Sequence, residues 1–228
     1  MVTQKKGLFC VVEGLDGAGK STAISILDSW QKQVKAGDRP DLDRWQLTAP
    51  MEAVFRDYDW LFLQEPTRLE TGLEIRRRLA GDQLTDYRQW IDLFKADRQA
   101  NLQTFVEPAL LESKLIVQDR YFYSTAAYQG SLSDVDPLLV LAEFSGFRSP
   151  DLLLYLDIDA DTAFARIENR SSQKEVFERR DRWLKIQGGY EKILPPSVKR
   201  IDASLPPQQV AYRMLEYIAK AACNTEVN

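Results

Sequence analysis

The sequence has no histidine and only two cysteines. Without histidine there is no imidazole general base and no histidine-dependent nucleophilic triad. Zinc and haem sites lose their commonest ligand, and Cys10 and Cys223 are too far apart in sequence to read as a metal-binding pair. No apolar run approaches the ~18 residues of a membrane span. The short apolar run from Leu8 stops at Glu13, so no secretory leader is expected, and a reducing cytoplasm is the expected setting. Positive charge is also scarce relative to negative. The net charge of −4 and pI of about 5.1 argue against a general nucleic-acid binder. What remains is 228 residues, 44% hydrophobic and 28% charged, which suits one globular α/β domain with a substantial core.

The information in the chain is concentrated in residues 8 to 22, LFCVVEGLDGAGKST. Leu8–Val12 is an apolar run of strand length, and helix formers with Ile24, Ile26 and Leu27 continue to Trp30. Between them Gly14-Leu15-Asp16-Gly17-Ala18-Gly19-Lys20-Ser21 fits the phosphate-loop spacing G-x-x-x-x-G-K-[ST], followed by Thr22. Glycines let successive N–H groups turn toward phosphate oxygens, and a helix start adds its positive end. Lys20 is expected on the β- and γ-phosphates and the Ser21 hydroxyl on Mg²⁺. A nucleoside triphosphate is therefore the expected ligand.

The rest alternates strand and helix. The periodicity predicts helices over Lys20–Lys35, Met51–Tyr58, Arg68–Leu79, Tyr87–Phe105, Ala109–Glu112, Ser124–Gln129, Pro137–Phe147, Ala160–Asn169, a stretch ending near Leu194, and Pro206–Ala222. It predicts strands at Trp60–Leu63, Leu115–Gln118, Asp151–Asp157 and Lys199–Ile201, with the very apolar Asp151–Asp157 in the middle of the sheet. Such alternation means parallel βαβ units in a doubly wound α/β fold. Residues 37–60 mix charge with Trp45, Phe55, Tyr58 and Trp60 and read as a solvated excursion. Asp119 ends an apolar strand, as an acid near Mg²⁺ would, and Arg120 follows at the strand's carboxyl end, where open α/β sheets bind ligands. The planar fork of an arginine there suits a phosphate.

Several ordered motifs together resemble the thymidylate kinase family: GLDGAGKST at 14–22, EPT at 65–67, LFKADR at 93–98, EPAL at 107–110, DRYFYSTAAYQG at 119–130, PDLLLYLDID at 150–159 and IDAS at 201–204. The resemblance runs nearly end to end, broken mainly by an apparent insertion at 37–60 and by Gln64, where many relatives have arginine. It implies a single domain over 1–228 with a five-stranded parallel sheet, helices on both faces and a lid at about 166–182. It implies Mg²⁺-dependent phosphorylation of dTMP to dTDP by ATP, toward dTTP, in a cytoplasmic homodimer with no membrane or nucleic-acid partner.

The same resemblance implies roles. Asp16 would hold the sugar 3'-OH, Phe94 would stack on thymine, and Arg98, four residues on and on the same helix face, would bond the base. Core packing is an equal rival for Phe94. Arg120, joined by Arg76, would bind the dTMP phosphate. Ser124, Thr125, Tyr128 and Gln129 would line the nucleoside site, with Tyr128 crowding a 2'-OH. Ser21 and Asp119 would hold Mg²⁺, directly or through water. Because Gly17 offers no basic side chain, the lid must supply one: Arg166 is placed against adenine and Arg170 at the phosphates, with Lys174, Arg179, Arg180 and Arg182 as substitutes. Lys20, Arg170, Arg120 and Asp16 thus form the expected catalytic set. A deoxynucleoside kinase, a kinase for another monophosphate and a catalytically silent nucleotide-binding relative are the rival readings.

Overall fold

The structure is a computed structural model that describes residues 6–37, 45, 47–81, 86–167 and 173–224. Five strands pair in parallel: β1 (Leu8–Gly14), β2 (Trp60–Gln64), β3 (Leu115–Asp119), β4 (Leu152–Asp157) and β5 (Lys199–Asp202), in the order β2-β3-β1-β4-β5. Every residue of β1 is buried, as are four of five in β3, because both faces are covered and both edges paired. β4 is as apolar as the sequence promised, yet it lies second from the edge, and β1 takes the middle. A continuous apolar run reports cover on both faces, which any interior strand enjoys, and does not report its rank in the sheet.

The helices form two layers. On one face α1 (Lys20–Ala36), α2 (Ala49–Asp57) and α10 (Pro207–Asn224) pack together. On the other lie α3 (Glu70–Gly81), α4 (Tyr87–Asn101), α5 (Glu107–Leu111), α6 (Phe122–Leu132), α7 (Pro137–Ala142), α8 (Ala160–Ile167) and α9 (Gln173–Ile193). The connection after β1 leaves toward the first face and that after β3 toward the second. This opens a crevice at the carboxyl ends of β1 and β3, where Val12 pairs with Asp119. Among the described residues no helix is long and apolar enough to cross a membrane.

Three further expectations change. The helix expected to reach Phe105 keeps α-geometry only to Asn101 and continues as a π-helical turn, Leu102–Val106. The helix expected over Pro137–Phe147 stops at Ala142, because the following turns carry Phe144 into the core against Phe122 and Phe147. The described part of the 37–60 stretch is no solvated excursion: Met51, Val54, Phe55 and Tyr58 are buried in the main core, and Phe55 stacks on Trp60 at 5.1 Å. Pro50 supplies a helix start without spending an amide that a helix would need. Phe55 has no exposed surface. Phe55→Ala should lower stability by roughly 3–5 kcal/mol, read as an earlier urea midpoint, whereas a solvated helix would leave the midpoint unmoved.

Candidate active site

The loop between β1 and α1 curls through Gly17 and Gly19, at φ of +89° and +87°. Among the described residues no protein acceptor pairs with the N–H groups of Gly17, Gly19, Lys20 or Ser21, so four donors are left for an anion. Lys20 is buried, and its Nζ donates to the carbonyls of Gly14 and Leu15, both at 2.9 Å. Burial, with Arg120 nearby, pulls its ammonium down to about 8. The Ser21 hydroxyl donates to Asp119 Oδ2 at 2.8 Å. The other carboxylate oxygen, Oδ1, is buried without a partner. An orphaned carboxylate oxygen beside a serine hydroxyl is a donor set that fits the hard Mg²⁺ ion. Among the described residues no cluster of three or more acidic, cysteine or histidine residues could cage a metal alone, so such an ion would share its ligands with phosphates.

This loop lines a cavity of about 510 Å³ together with Arg120, Arg166, Ala203, Leu205, Pro207 and Val210. Arg166 donates to the carbonyl of Ala203 at 3.0 Å and of Gly17 at 3.4 Å, joining α8 to the loop and to the chain after β5. Gly17 is pressed against α8: a Cβ there would sit 2.2 Å from the Ala163 carbonyl oxygen. Together with its positive φ, this excludes any side chain at 17 in this arrangement.

A second cavity, about 280 Å³, lies between α4, α6 and the segment after β2. Its lining includes Phe94, Arg98, Tyr121, Thr125 and Gln129. Arg98 is completely buried. It donates from Nε and Nη2 to Glu65 at 3.0 and 2.6 Å and from Nη2 to Thr125 at 3.1 Å, which leaves Nη1 buried with no partner. Asn101 and Gln118 complete the Glu65 carboxylate. Asp97 fixes the same segment by accepting from the Thr67 N–H at 2.8 Å and from the Thr71 hydroxyl at 2.8 Å.

Asp16 and Arg120 line both cavities. They form an ion pair, and Arg120 also donates to Ser124 Oγ at 2.8 Å and lies 5.1 Å from the Tyr128 ring centroid. Burial alone would raise the Asp16 carboxyl, but Arg120 and Lys20 outweigh it and hold it below the ordinary range. The Tyr128 oxygen accepts the Asp16 N–H at 3.0 Å, and burial pushes its phenol up to about 12, so it remains a hydroxyl. Arg120 adopts φ of +69°, rare for a residue with a side chain; its N–H is held by the Val12 carbonyl at 2.9 Å and its carbonyl by Gln118 at 3.0 Å.

Residues 51–213 match the family model described as thymidylate kinase. The chain is 36% identical over 214 residues to a protein named thymidylate kinase from Leptospira interrogans, covering 93% of this chain and 94% of that one. The chain belongs to the thymidylate kinase family. It is also 31% identical to a thymidylate kinase of Xanthomonas campestris, over 90% of this chain and 79% of the relative. A probable thymidylate kinase of Pyrococcus horikoshii is 30% identical over 87% and 89% respectively. The five-stranded sheet with its phosphate loop is the P-loop kinase fold of this thymidylate kinase family.

The structure gathers most residues singled out in the sequence. Asp16, Gly17, Ala18, Gly19, Lys20, Ser21, Thr22, Asp119, Arg120 and Arg166 line the first cavity, while Gly14 and Leu15 offer carbonyls to Lys20. Asp16, Phe94, Arg98, Arg120, Ser124, Thr125, Tyr128 and Gln129 line the second. Arg76 stays outside the lining, exposed, and donates to the Pro66 carbonyl at the rim. Arg170 lies outside the described residues, as do the side chains of Lys174 and Arg179. Arg180 is paired with Asp161 on α8 at 2.8 Å, and Arg182 is exposed. Sequence reading missed Glu13, Glu65 and Asp97, although a carboxylate closing an apolar strand was a visible signal for Glu13. It also missed Ala203, although it lies in the IDAS motif, and Leu205, Pro207 and Val210, which have no motif chemistry to mark them.

The depressed Lys20 pKa of about 8 sets a pH dependence. Phosphates favour the charged lysine, so Mg-ATP affinity should hold steady below that value and fall as pH rises through it. Titration calorimetry in buffers of different ionisation enthalpy should show uptake of about half a proton per nucleotide near pH 8 and almost none near pH 6.5. Lys20→Arg, charged throughout, should remove that uptake.

Proposed function

We propose that this chain transfers the γ-phosphoryl group of Mg-ATP to dTMP, giving ADP and dTDP. The observation that carries the reading is that Asp16 and Arg120 line both cavities, so one pair of side chains can touch both substrates where they meet. A dTMP phosphate oxygen attacks the γ-phosphorus while its bond to the β–γ bridging oxygen breaks and ADP leaves. The attacking phosphate is already ionised, so no general base is required, which agrees with a chain lacking histidine. The rate then comes from alignment and from cations facing the transferring group.

In this reading Lys20 binds the β- and γ-phosphates, and Ser21 and Asp119 would hold Mg²⁺, which would supply charge neutralisation to the nucleotide. Arg120 binds the acceptor phosphate, with Arg76 able to swing in from the rim, and Asp16 accepts from the sugar 3'-OH. The unpartnered Arg98 Nη1 supports a role in donating to a base carbonyl, and Phe94, half-buried at the cavity wall, supports stacking on the ring. Ser124 and Thr125 hold the two arginines, Gln129 faces the base, and Tyr128 narrows the space beside the sugar. Arg166 lies beside the apolar residues that suit adenine, and Arg170 supplies charge at the transferring phosphoryl. The proposal includes a homodimer in the cytoplasm. Exposed Leu73 and Leu79 on α3 support a helical contact face, and free Cys10 and Cys223 support a reducing setting.

Coupled ADP-release assays with dTMP, dUMP, dGMP and thymidine test the assignment: dTMP should be preferred, and turnover of thymidine without dTMP would sink it. Arg120→Ala should raise the KM for dTMP on the order of a hundredfold, the loss of a charge-assisted pair to phosphate. Arg170→Ala should lower kcat by about 10³-fold or more while Mg-ATP binding changes little. An unchanged kcat would assign that role to another basic side chain.

A further inference from the structure

Trp183, on α9, reaches the phosphate loop from outside both cavities. Its indole Nε1–H donates to the Asp16 carbonyl at 3.1 Å, and its ring meets Phe164 of α8 edge-on at 5.7 Å. The Asp16–Gly17 peptide is trans, since the only cis bond among the described residues is Glu65-Pro66. In a trans peptide the C=O and the following N–H point in opposite directions. A carbonyl held toward Trp183 therefore turns the Gly17 N–H away from α9, and Gly17 lines the phosphate cavity while Trp183 does not. That N–H has no protein acceptor among the described residues. The alternative peptide orientation would point the carbonyl oxygen, with its partial negative charge, at incoming phosphate. Glycine at 17 has little intrinsic barrier to such a flip, so something else must hold the plane.

We propose that Trp183 is a positioning residue for phosphoryl transfer: its indole N–H holds the Asp16 carbonyl and so presents the Gly17 N–H to the phosphates. The kinetic part of this inference rests on the function proposed above. Asp16 is thereby fixed at three points, its N–H by Tyr128, its carbonyl by Trp183 and its carboxylate by Arg120. Through Trp183, α9 thus bears directly on the loop contact to the transferring group.

Two replacements remove the N–H and keep the ring: Trp183→Phe, and β-(3-benzothienyl)alanine at 183, which matches tryptophan in shape. Each should lower kcat roughly threefold to tenfold, the worth of one hydrogen bond, with the KM for dTMP within about twofold of wild type. If Trp183→Phe fails to fold, the benzothienyl isostere carries the test alone. Wild-type kcat in the isostere, or an effect confined to the dTMP KM, would overturn the proposal. A second readout needs no acceptor. The Gly17 amide resonance should shift when Mg²⁺ and the ATP analogue AMP-PNP bind wild-type protein, and shift far less in the isostere; an equal shift in both would overturn it. Loss of that shift in a protein whose wild type phosphorylates no dTMP would defeat the proposed function and leave the role of Trp183 standing.

Discussion

A carboxylate sealed from water at the end of β1 holds the site together. Glu13 accepts from the Tyr121 N–H at 2.8 Å, the Ser124 N–H at 3.1 Å, the Ser124 hydroxyl and the Tyr190 hydroxyl at 3.0 Å. Burial pushes its carboxyl up, opposed by the Ser124 hydroxyl, the Arg120 charge, the Ser124 N–H and the Tyr190 hydroxyl. Those donors come from the β3–α6 connection, α6 and α9. One side chain therefore locks the strand that carries the phosphate loop to α6, which lines the second cavity, and to α9. Ser124 extends the network to Arg120, and the left-handed backbone at Arg120, worth about 1–3 kcal/mol of strain, persists because bonds on both sides of it fix the chain.

A second buried network lies alongside. Arg98 is paired with Glu65 and enclosed by the rings of Phe144 at 4.7 Å and Tyr121 at 4.9 Å. Aromatic faces offset part of what the guanidinium loses on leaving water. Gln118 joins the two networks, since it bonds both Glu65 and the Arg120 carbonyl. The second cavity is thus framed by charges whose other hydrogen bonds are nearly all spent. That arrangement suits recognition, because a group with one bond left to make selects for the partner that makes it.

Much of this was legible in the chain. Leu8–Val12, Leu115–Gln118 and Asp151–Asp157 announced themselves as strands because interior parallel strands are apolar on both sides. The phosphate loop announced itself because backbone recognition of phosphate demands glycine, lysine and serine at fixed spacing. Other features were hidden for physical reasons. Which interior strand is central depends on crossover direction, which leaves no mark on composition. Phe144 ended α7 early because tertiary packing outweighed a continuing helical period. Met51 and Phe55 read as part of a solvated excursion because the cover that buries them comes from α10 and α1, outside that stretch of sequence. Glu13 and Trp183 act through partners more than a hundred residues away, a distance no local pattern spans.

The close approach of Gly17 to the Ala163 carbonyl has an evolutionary consequence. A lineage built this way cannot acquire a basic side chain at position 17 by one substitution, because the Ala163 carbonyl of α8 already occupies the space. The loop change would have to follow, or coincide with, a displacement of α8, and the two changes would be strongly epistatic. Whether position 17 can carry a side chain is then a trait inherited with the packing of a neighbouring helix.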